Sequence, residues 1–327
     1  MQEFTGLEYI KIAAANEFGK DKLSWQDRLY WFDYNVSNLN SMTPAASNPF
    51  LFTKAINAYN DAIAGKPTGY IMALDATASG LQIMACLSGC LKTAAAVNLI
   101  DTGDREDVYT EVATGMNLIL DPIDAVVRAD VKKPVMTHYY NKSRQGSLRG
   151  ERENAFHEVL NSLFSGAEDV MNIINECWDN SALYHKWVTP DGHVSKVKVT
   201  EAMDTRIEVD ELDHTTFTYR YTSNQPSTRH TSLCPNYIHS LDAWVARMMV
   251  RMAHNQGFQL AHIHDSFWAS PNHMNKVRDN YRVILAKLAD SNALNKFMLD
   301  VTGDNVLLIK DTPDLSKHIL NSEYALS

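Results

Sequence analysis

Two aspartates far apart in this 327-residue chain each stand at the end of an apolar run. Asp75 closes Tyr70-Ile71-Met72-Ala73-Leu74, and Asp265 follows Leu260-Ala261-His262-Ile263-His264. Short apolar runs read as buried strands, and a strand end is where a rigid sheet delivers a carboxylate into a cleft. Two carboxylates brought together repel each other unless cations lie between them. That is the requirement of a two-metal site acting on phosphates, with the ions ~3.5–4 Å apart. Between the two aspartates stand Arg128, Lys132, Met136 and Tyr140, each four residues after the last. On a helix this spacing draws one slowly turning stripe of two cations, a methionine and an aromatic. Carboxylates for metal, cations for phosphate and an aromatic for a base outline a nucleotidyl-transfer site.

The elements that must hold these residues are legible in outline. Residues 1–60 read as mostly helical, interrupted at Thr43-Pro44 and Asn48-Pro49, with Ser24 capping the aromatic-rich run from Trp25 to Tyr34. Gly65-Lys66-Pro67-Thr68-Gly69 is a turn into the strand that ends at Asp75. Helices are expected over 81–87 and 105–120, with Asp121-Pro122 as a break, and over most of 123–180. Residues 184–199 alternate around Pro190-Asp191-Gly192 and read as a hairpin. Residues 205–233 read as strand and polar loop. Pro235 opens a long helix to about Asn255, a first-turn placement that suits proline. A hairpin carrying Asp265 follows over 259–270, then one helix over 273–299. A small sheet among many helices gives an α+β class.

The same residues carry a family resemblance. The segment ALDATASGLQIMACLSG (73–89) resembles the first catalytic motif of the phage and mitochondrial single-subunit RNA polymerases. RADVKKPVMTHYYN (128–141) is similar to their fingers helix, and HIHDSFWASP (262–271) to the hairpin of their second catalytic aspartate. Smaller matches fall in the family's order: YIKIAAAN (9–16), DVYTEV (107–112), WVTPDG (187–192), CPNYIHSLD (234–242) and SEYALS (322–327).

The resemblance implies a right-hand palm with a small antiparallel sheet and a mostly helical fingers region. Residues 1–69 would lead into the palm, 70–104 would carry its first motif, 105–233 would be fingers including the hairpin 184–199, and 234–327 would return to the palm. Asp75 and Asp265 would hold two magnesium ions. Arg128 and Lys132 would take the incoming triphosphate, with Lys11 a further phosphate contact and Tyr109 and Met136 near the nucleotide. Tyr140 and His239 would lie near the sugar and favour ribose. Ser79-Gly80 is the retained core of the first motif. DNA template, RNA product and ribonucleoside triphosphates are the implied partners. The family's thumb and N-terminal domain find no counterpart here, so a second polypeptide supplying them, in a split phage-type heterodimer in a bacterial cytoplasm, is the expectation.

Bland alternatives stand beside each residue. Asp75 alone is a plausible helix cap, Asp265 a turn residue, and Arg128 and Lys132 ordinary surface charges. His264 next to Asp265 invites a zinc or triad reading, but no His-Glu-x-x-His or Gly-x-Ser-x-Gly spacing accompanies it, so packing or substrate orientation is expected. His262 is expected to share its strand face. Three departures from the family pattern are visible. Pro134 lies inside the fingers helix, where ~3 kcal/mol is the usual cost, so a start or kink is expected there. Asn141 replaces a glycine, and Ala-Thr-Ala-Ser-Gly follows Asp75 in place of Gly-Ser-x-Ser-Gly.

The net charge of −9 argues against phosphate binding by the chain as a whole. Local charge reverses this: residues 128–152 hold seven basic side chains against Asp130 and Glu151, a net +5. No apolar stretch approaches the ~20 residues of a membrane helix, and the four cysteines form no Cys-x-x-Cys pair. Two rival functions share the motifs: a DNA polymerase of the related palm–fingers–thumb type, and a nucleic-acid-binding subunit without chemistry.

Overall fold

The computed structural model describes residues 2–139, 148–199, 201–223 and 232–327. Helix α1 (Gly6–Ala15) starts at a capping box in which Thr5 and Glu8 each accept the other's backbone N–H. It runs into a single π-turn, Asn16–Lys20, with Gly19 at φ 102°, a conformation open chiefly to glycine. Ser24 caps α2 (Trp25–Asn35) as its sequence position implies. Short α3 (Leu39–Met42) and α4 (Pro49–Ile63), begun by its proline, complete the first third. Strand β1 (Met72–Asp75) leads to α5 (Ser79–Ser88) and α6 (Leu91–Ala96). Four helices follow: α7 (Val108–Ile119), α8 (Arg128–His138), α9 (Glu151–Leu163) and α10 (Ser165–Glu176).

Two hairpins come next, β2 (Tyr184–Val188) with β3 (Val194–Lys198) and β4 (Glu201–Val209) with β5 (Thr215–Ser223). The long α11 (Leu233–Asn255) precedes β6 (Ala261–Ile263) and β7 (Ser266–Ala269). Helices α12 (Met274–Asp290), α13 (Ala293–Thr302) and α14 (Leu315–Leu320) close the fold. β1, β7 and β6 form one antiparallel sheet in that order. The class is α+β, as the sequence implies.

Alternation along the central sheet decides where the core lies. Met72 and Leu74 of β1 and Phe267 and Ala269 of β7 are buried, and α5 buries every residue from Leu81 to Leu87. Helices α5, α11 and α12 pack on one another over that inner face. Gln82 is the one polar side chain buried within α5, and it is fully bonded. Its amide donates to the Val97 and Ala325 carbonyls at 3.0 and 2.9 Å, and its oxygen accepts from Tyr281 Oη at 2.6 Å. This ties α5 to the segment 324–327, where Ser327 N–H also donates to the Asp75 carbonyl at 3.0 Å.

Four expectations are corrected. The run before Asp265 is no buried strand: all three residues of β6 are exposed, and its apolar residues, Ala261 and Ile263, do not pack on the core. His264 is not on a strand beside His262 but in the two-residue turn between β6 and β7, at φ 53°. Residues 273–299 are two helices, broken at Ser291-Asn292, where the Ser291 hydroxyl accepts from the Ala293 N–H. Residues 205–223 belong to a hairpin that already begins at Glu201, pairing Glu201 with Ser223 through Val209 with Thr215.

Pro134 neither starts nor interrupts α8, whose assignment is unbroken from Arg128 to His138. The missing N–H is tolerated because Val131, Pro134 and Val135 are buried together. Tertiary burial outweighs the intrinsic penalty. Asn141 and Tyr140 lie outside the described residues.

Candidate active site

The sheet brings the two distant aspartates together. Asp75, the last residue of β1, pairs in register with Ser266 of β7, and Asp265 is the residue just before it. The Ala76 N–H donates to the Asp265 carbonyl at 3.1 Å, closing the junction. Asp75 is exposed and Asp265 half-buried. Burial pushes the Asp265 carboxyl above its ordinary value and the charge of Asp75 adds to this, while the Ser79 hydroxyl and His264 work the other way. Asp242 of α11 is a third carboxyl, raised by burial and by the charge of Asp265, with the nearby Ser79 hydroxyl working the other way. The chain between β1 and α5 is bent tightly to present Ser79: Ala78 sits in the left-handed region at φ 54°.

These groups open on a cavity of about 530 Å³. One wall is the β1–α5 turn with Asp75, Ser79, Gly80 and Asp265; another is the π-turn after α1, with Asn16, Glu17 and Gly19. Facing them is α8, which contributes Arg128, Lys132, Val135 and Met136, and α7, which contributes Tyr109. Three residues of the stripe spaced by four, Arg128, Lys132 and Met136, therefore line one side of the cavity. The Arg128 guanidinium lies 5.2 Å from the centre of the Tyr109 ring and the Lys132 ammonium 6.0 Å from it. Arg128 is also clamped by Asp107, Nε to Oδ2 at 2.6 Å and Nη2 to Oδ1 at 3.4 Å. Burial opposes ionisation of Asp107, but the bond and charge of Arg128 hold its carboxyl below the usual range.

Two cations unnoticed in the sequence join this wall, Lys22 and Arg105. Lys22 is held there by the loop from Asp21 to Leu23. Fully buried Arg28 donates to the Leu23 carbonyl at 2.9 Å and the Asp21 carbonyl at 2.8 Å, its guanidinium 4.4 Å from the Trp25 ring centre. Burial, with Arg105 nearby, lowers Arg28 to about 9. Arg105 Nε donates to Ser327 Oγ at 2.9 Å. No spacing rule marks Arg105; Lys22 follows the glycine that makes the π-turn, a signal visible only in hindsight.

Lys11 is not brought to the cavity. It sits on the flank of α1 facing α2, paired with Asp33 at 2.7 Å, whereas only the C-terminal end of that helix reaches the site. His239 is exposed on α11 and does not line the cavity, although its charge reaches Asp242. His264 occupies the turn beside Asp265. Tyr140 follows α8 outside the described residues, so its placement is not given.

Among the described residues, one group of three or more potential ligands has metal-ligand spacing: Glu208, Asp210 and His214, at the exposed tip of the β4–β5 hairpin. His214 Nδ1 already pairs with both, at 2.9 and 3.3 Å. Among those residues no helix is long and apolar enough to cross a membrane.

Comparison with known proteins follows the same lines. The chain is 24% identical to the mitochondrial DNA-directed RNA polymerase of Schizosaccharomyces pombe over 89% of its own length and 31% of that protein's. It is 26% identical to DNA-directed RNA polymerase 1, mitochondrial, of Arabidopsis thaliana, covering 81% of this chain and 33% of the relative. The same identity and coverage hold for the chloroplastic polymerase 3B of Nicotiana tabacum. The chain thus spans about a third of the length of these relatives, all of them organellar by name, and they lend no support to a phage source or a bacterial host. The POL domain of Pol1 from M. smegmatis, in complex with DNA primer-template and dNTP, is similar at 18% identity and a TM-score of 0.41, over 68% of this chain and 38% of that one; a score this low carries no argument. The family model described as DNA-dependent RNA polymerase matches residues 2–154 and 152–307, nearly the whole chain. With a family match that spans nearly the whole chain, the chain belongs to the DNA-dependent RNA polymerase family.

Proposed function

We propose that this chain carries the catalytic centre of template-directed RNA synthesis, joining ribonucleotides from their triphosphates to an RNA 3′ end on a DNA template. One observation carries the reading: Asp75 and Asp265, adjacent across β1 and β7, face Arg128 and Lys132 across a single cavity. The 3′ oxygen forms a bond to the α-phosphorus, the bond from that phosphorus to its bridging oxygen breaks, and pyrophosphate leaves. The hydroxyl proton passes to solvent. Arg128 and Lys132 bind and orient the triphosphate, with Lys22 and Arg105 adding to the same field, and Tyr109 supports both α8 cations from below. The Ser79 hydroxyl, near both Asp265 and Asp242, favours their charged forms.

The donor set fits magnesium. Carboxylate oxygens on a half-open rim suit a hard cation that keeps water and takes phosphate oxygens as further ligands. Asp75 and Asp265 are the residues that would hold two such ions, which when bound supply activation of the hydroxyl and charge for the leaving pyrophosphate. Tyr140, next along the chain from the Lys132 helix, and His239 are assigned to sugar choice. The palm comprises β1, β6, β7, α5 and α11, and the fingers α7 to α10. A second polypeptide bearing the thumb is inferred too, supported by the open edge of β6, where Ile263 is 63% exposed.

The test is extension of an RNA primer on a DNA template by the chain, alone and with the N-terminal portion of a polymerase of this family added. Asp75→Ala and Asp265→Ala are each expected to abolish incorporation, a loss of at least about 10³-fold, with the thermal melt unchanged. Extension at the wild-type rate by either variant would remove the assignment, and full processive synthesis by the chain alone would remove the second polypeptide.

A further inference from the structure

Five of the six tryptophans belong to the packed interior: Trp25, Trp187 and Trp244 are buried, and Trp31 and Trp178 lie half-buried against the core. Trp268 does not. It is half-buried on β7, outside the set packed on the core, and among the described residues no aromatic ring lies against it. The strand register explains this. Trp268 pairs with Ala73 of β1 on one side and Ala261 of β6 on the other, so its neighbours across the sheet are both small. Asp75, Ser266 and Ile263 form the next row on the same face, because directly opposed residues point the same way. Ile71 shares this face by the period of two. Ile71 is 47% exposed and Ile263 63% exposed. The outer face of the central sheet is thus an apolar strip with an indole at its middle, ending at the two catalytic aspartates. The indole Nε1 donates to Ser266 Oγ at 3.0 Å, which fixes the ring with respect to the row that holds Asp75.

We propose that Trp268 is a positioning residue for the growing strand, its indole bearing on the sugar edge of that strand just behind the reactive 3′ end. The inference rests on the nucleotidyl-transfer reading of the site. The occupant follows from continuity: a strand whose 3′ end lies at Asp75 and Asp265 and which extends away from the cavity runs along the face that begins there. Trp268 lies two residues beyond the Asp75 row, about 6.8 Å along a strand. At ~3.4 Å per nucleotide this is about two nucleotides behind the end. A broad flat apolar side chain suits the sugar and base edge rather than phosphate, and holds position by area rather than by charge, so it fixes the 3′ end without sequence preference.

The experiment measures binding of the full chain to a fluorescent RNA–DNA hybrid with a recessed RNA 3′ end, by anisotropy, for wild type, Trp268→Ala, Trp268→Phe and Ile263→Ser. Trp268→Ala is expected to weaken the hybrid about tenfold, which is about 1.4 kcal/mol, and Trp268→Phe to restore most of it. In extension assays the KM for hybrid rises by a similar factor while the KM for nucleotide does not move, a split that a merely structural role would not give. Ile263→Ser changes an exposed side chain on the same face, and is expected to weaken the hybrid even if Trp268→Ala does not fold. Wild-type affinity in Trp268→Ala and Ile263→Ser, with the hybrid still bound, overturns the proposal and leaves the polymerase reading standing. No binding of the hybrid by wild-type protein overturns both.

Discussion

At the scale of single residues, the site couples its charges in pairs before any substrate arrives. Arg128 is the clearest case: its guanidinium is shared between the Tyr109 ring and the carboxylate of Asp107. Its side chain is 37% exposed, so without Asp107 it would sample many rotamers and lose the orientation that a planar two-pronged donor needs. Asp107→Asn is therefore expected to raise the KM for nucleoside triphosphate several-fold with kcat little changed, the pattern of lost uniform binding. Steady-state kinetics check this, and an unchanged or lowered KM would show that Asp107 restrains Arg128 rather than presenting it. Asp75, Asp265, Arg128 and Lys132, which all line the one cavity, could be picked out as candidates because charged residues at strand ends and at helical spacing are recognisable without coordinates. Lys11 misled because a lysine in a matching motif says nothing of which flank of α1 it occupies. Ala78, at positive φ, was illegible for the opposite reason: alanine gives no warning of a left-handed backbone.

At the scale of elements, periodicity located most helices and the hairpin 184–199 to within a few residues. The failures share a cause. A short apolar run reads the same in an exposed strand as in a buried one, so β6 looked internal; and α8 kept its proline because burial on one side outweighs a lost hydrogen bond. The β2–β3 hairpin has a different anchor. Asp191 in its turn is 5% exposed and pairs with Arg247 of α11, at 2.7 Å to Nε and 2.9 Å to Nη2. The Arg247 bond, with Thr189 and the His193 backbone also contributing, holds this carboxyl far below the ordinary aspartate range. A depressed folded-state value contributes stability that is complete above the unfolded aspartate value, near 4, and is lost as pH falls toward the folded one. Asp191→Asn is expected to cost about 3 kcal/mol near neutral pH. Thermal melts should show the gap between wild type and variant closing below about pH 4, for the reason just given. A gap that stays constant down to pH 2 would mean that shape, not charge, is lost.

At the scale of the whole molecule, a protein of net charge −9 gathers Lys22, Arg105, Arg128 and Lys132 around one cavity that also holds acidic side chains, and acid predominates elsewhere. Residues 201–223 illustrate the remainder, with six acidic and two basic residues in one free-standing hairpin. The site itself draws on nearly the full length: the end of α1, the β1–α5 turn, α7, α8, the β6–β7 turn and Ser327 all line one cavity. The sequence could name the pieces and their order, through hydrophobic pattern and family resemblance. It could not supply convergence, because the register that sets Asp75 against Ser266 is decided by which face of each strand the core demands. The same long-range assembly brings segment 324–327, part of the SEYALS match at the far end of the chain, against Asp75, whose carbonyl accepts from the Ser327 N–H.

The most direct measurement is anomalous diffraction from crystals of this chain soaked with manganese and a non-hydrolysable ribonucleoside triphosphate. The account predicts manganese between Asp75 and Asp265, with the triphosphate reaching Arg128 and Lys132. Manganese confined to Glu208, Asp210 and His214 on the distant hairpin, with nothing bound between the two aspartates, would contradict it.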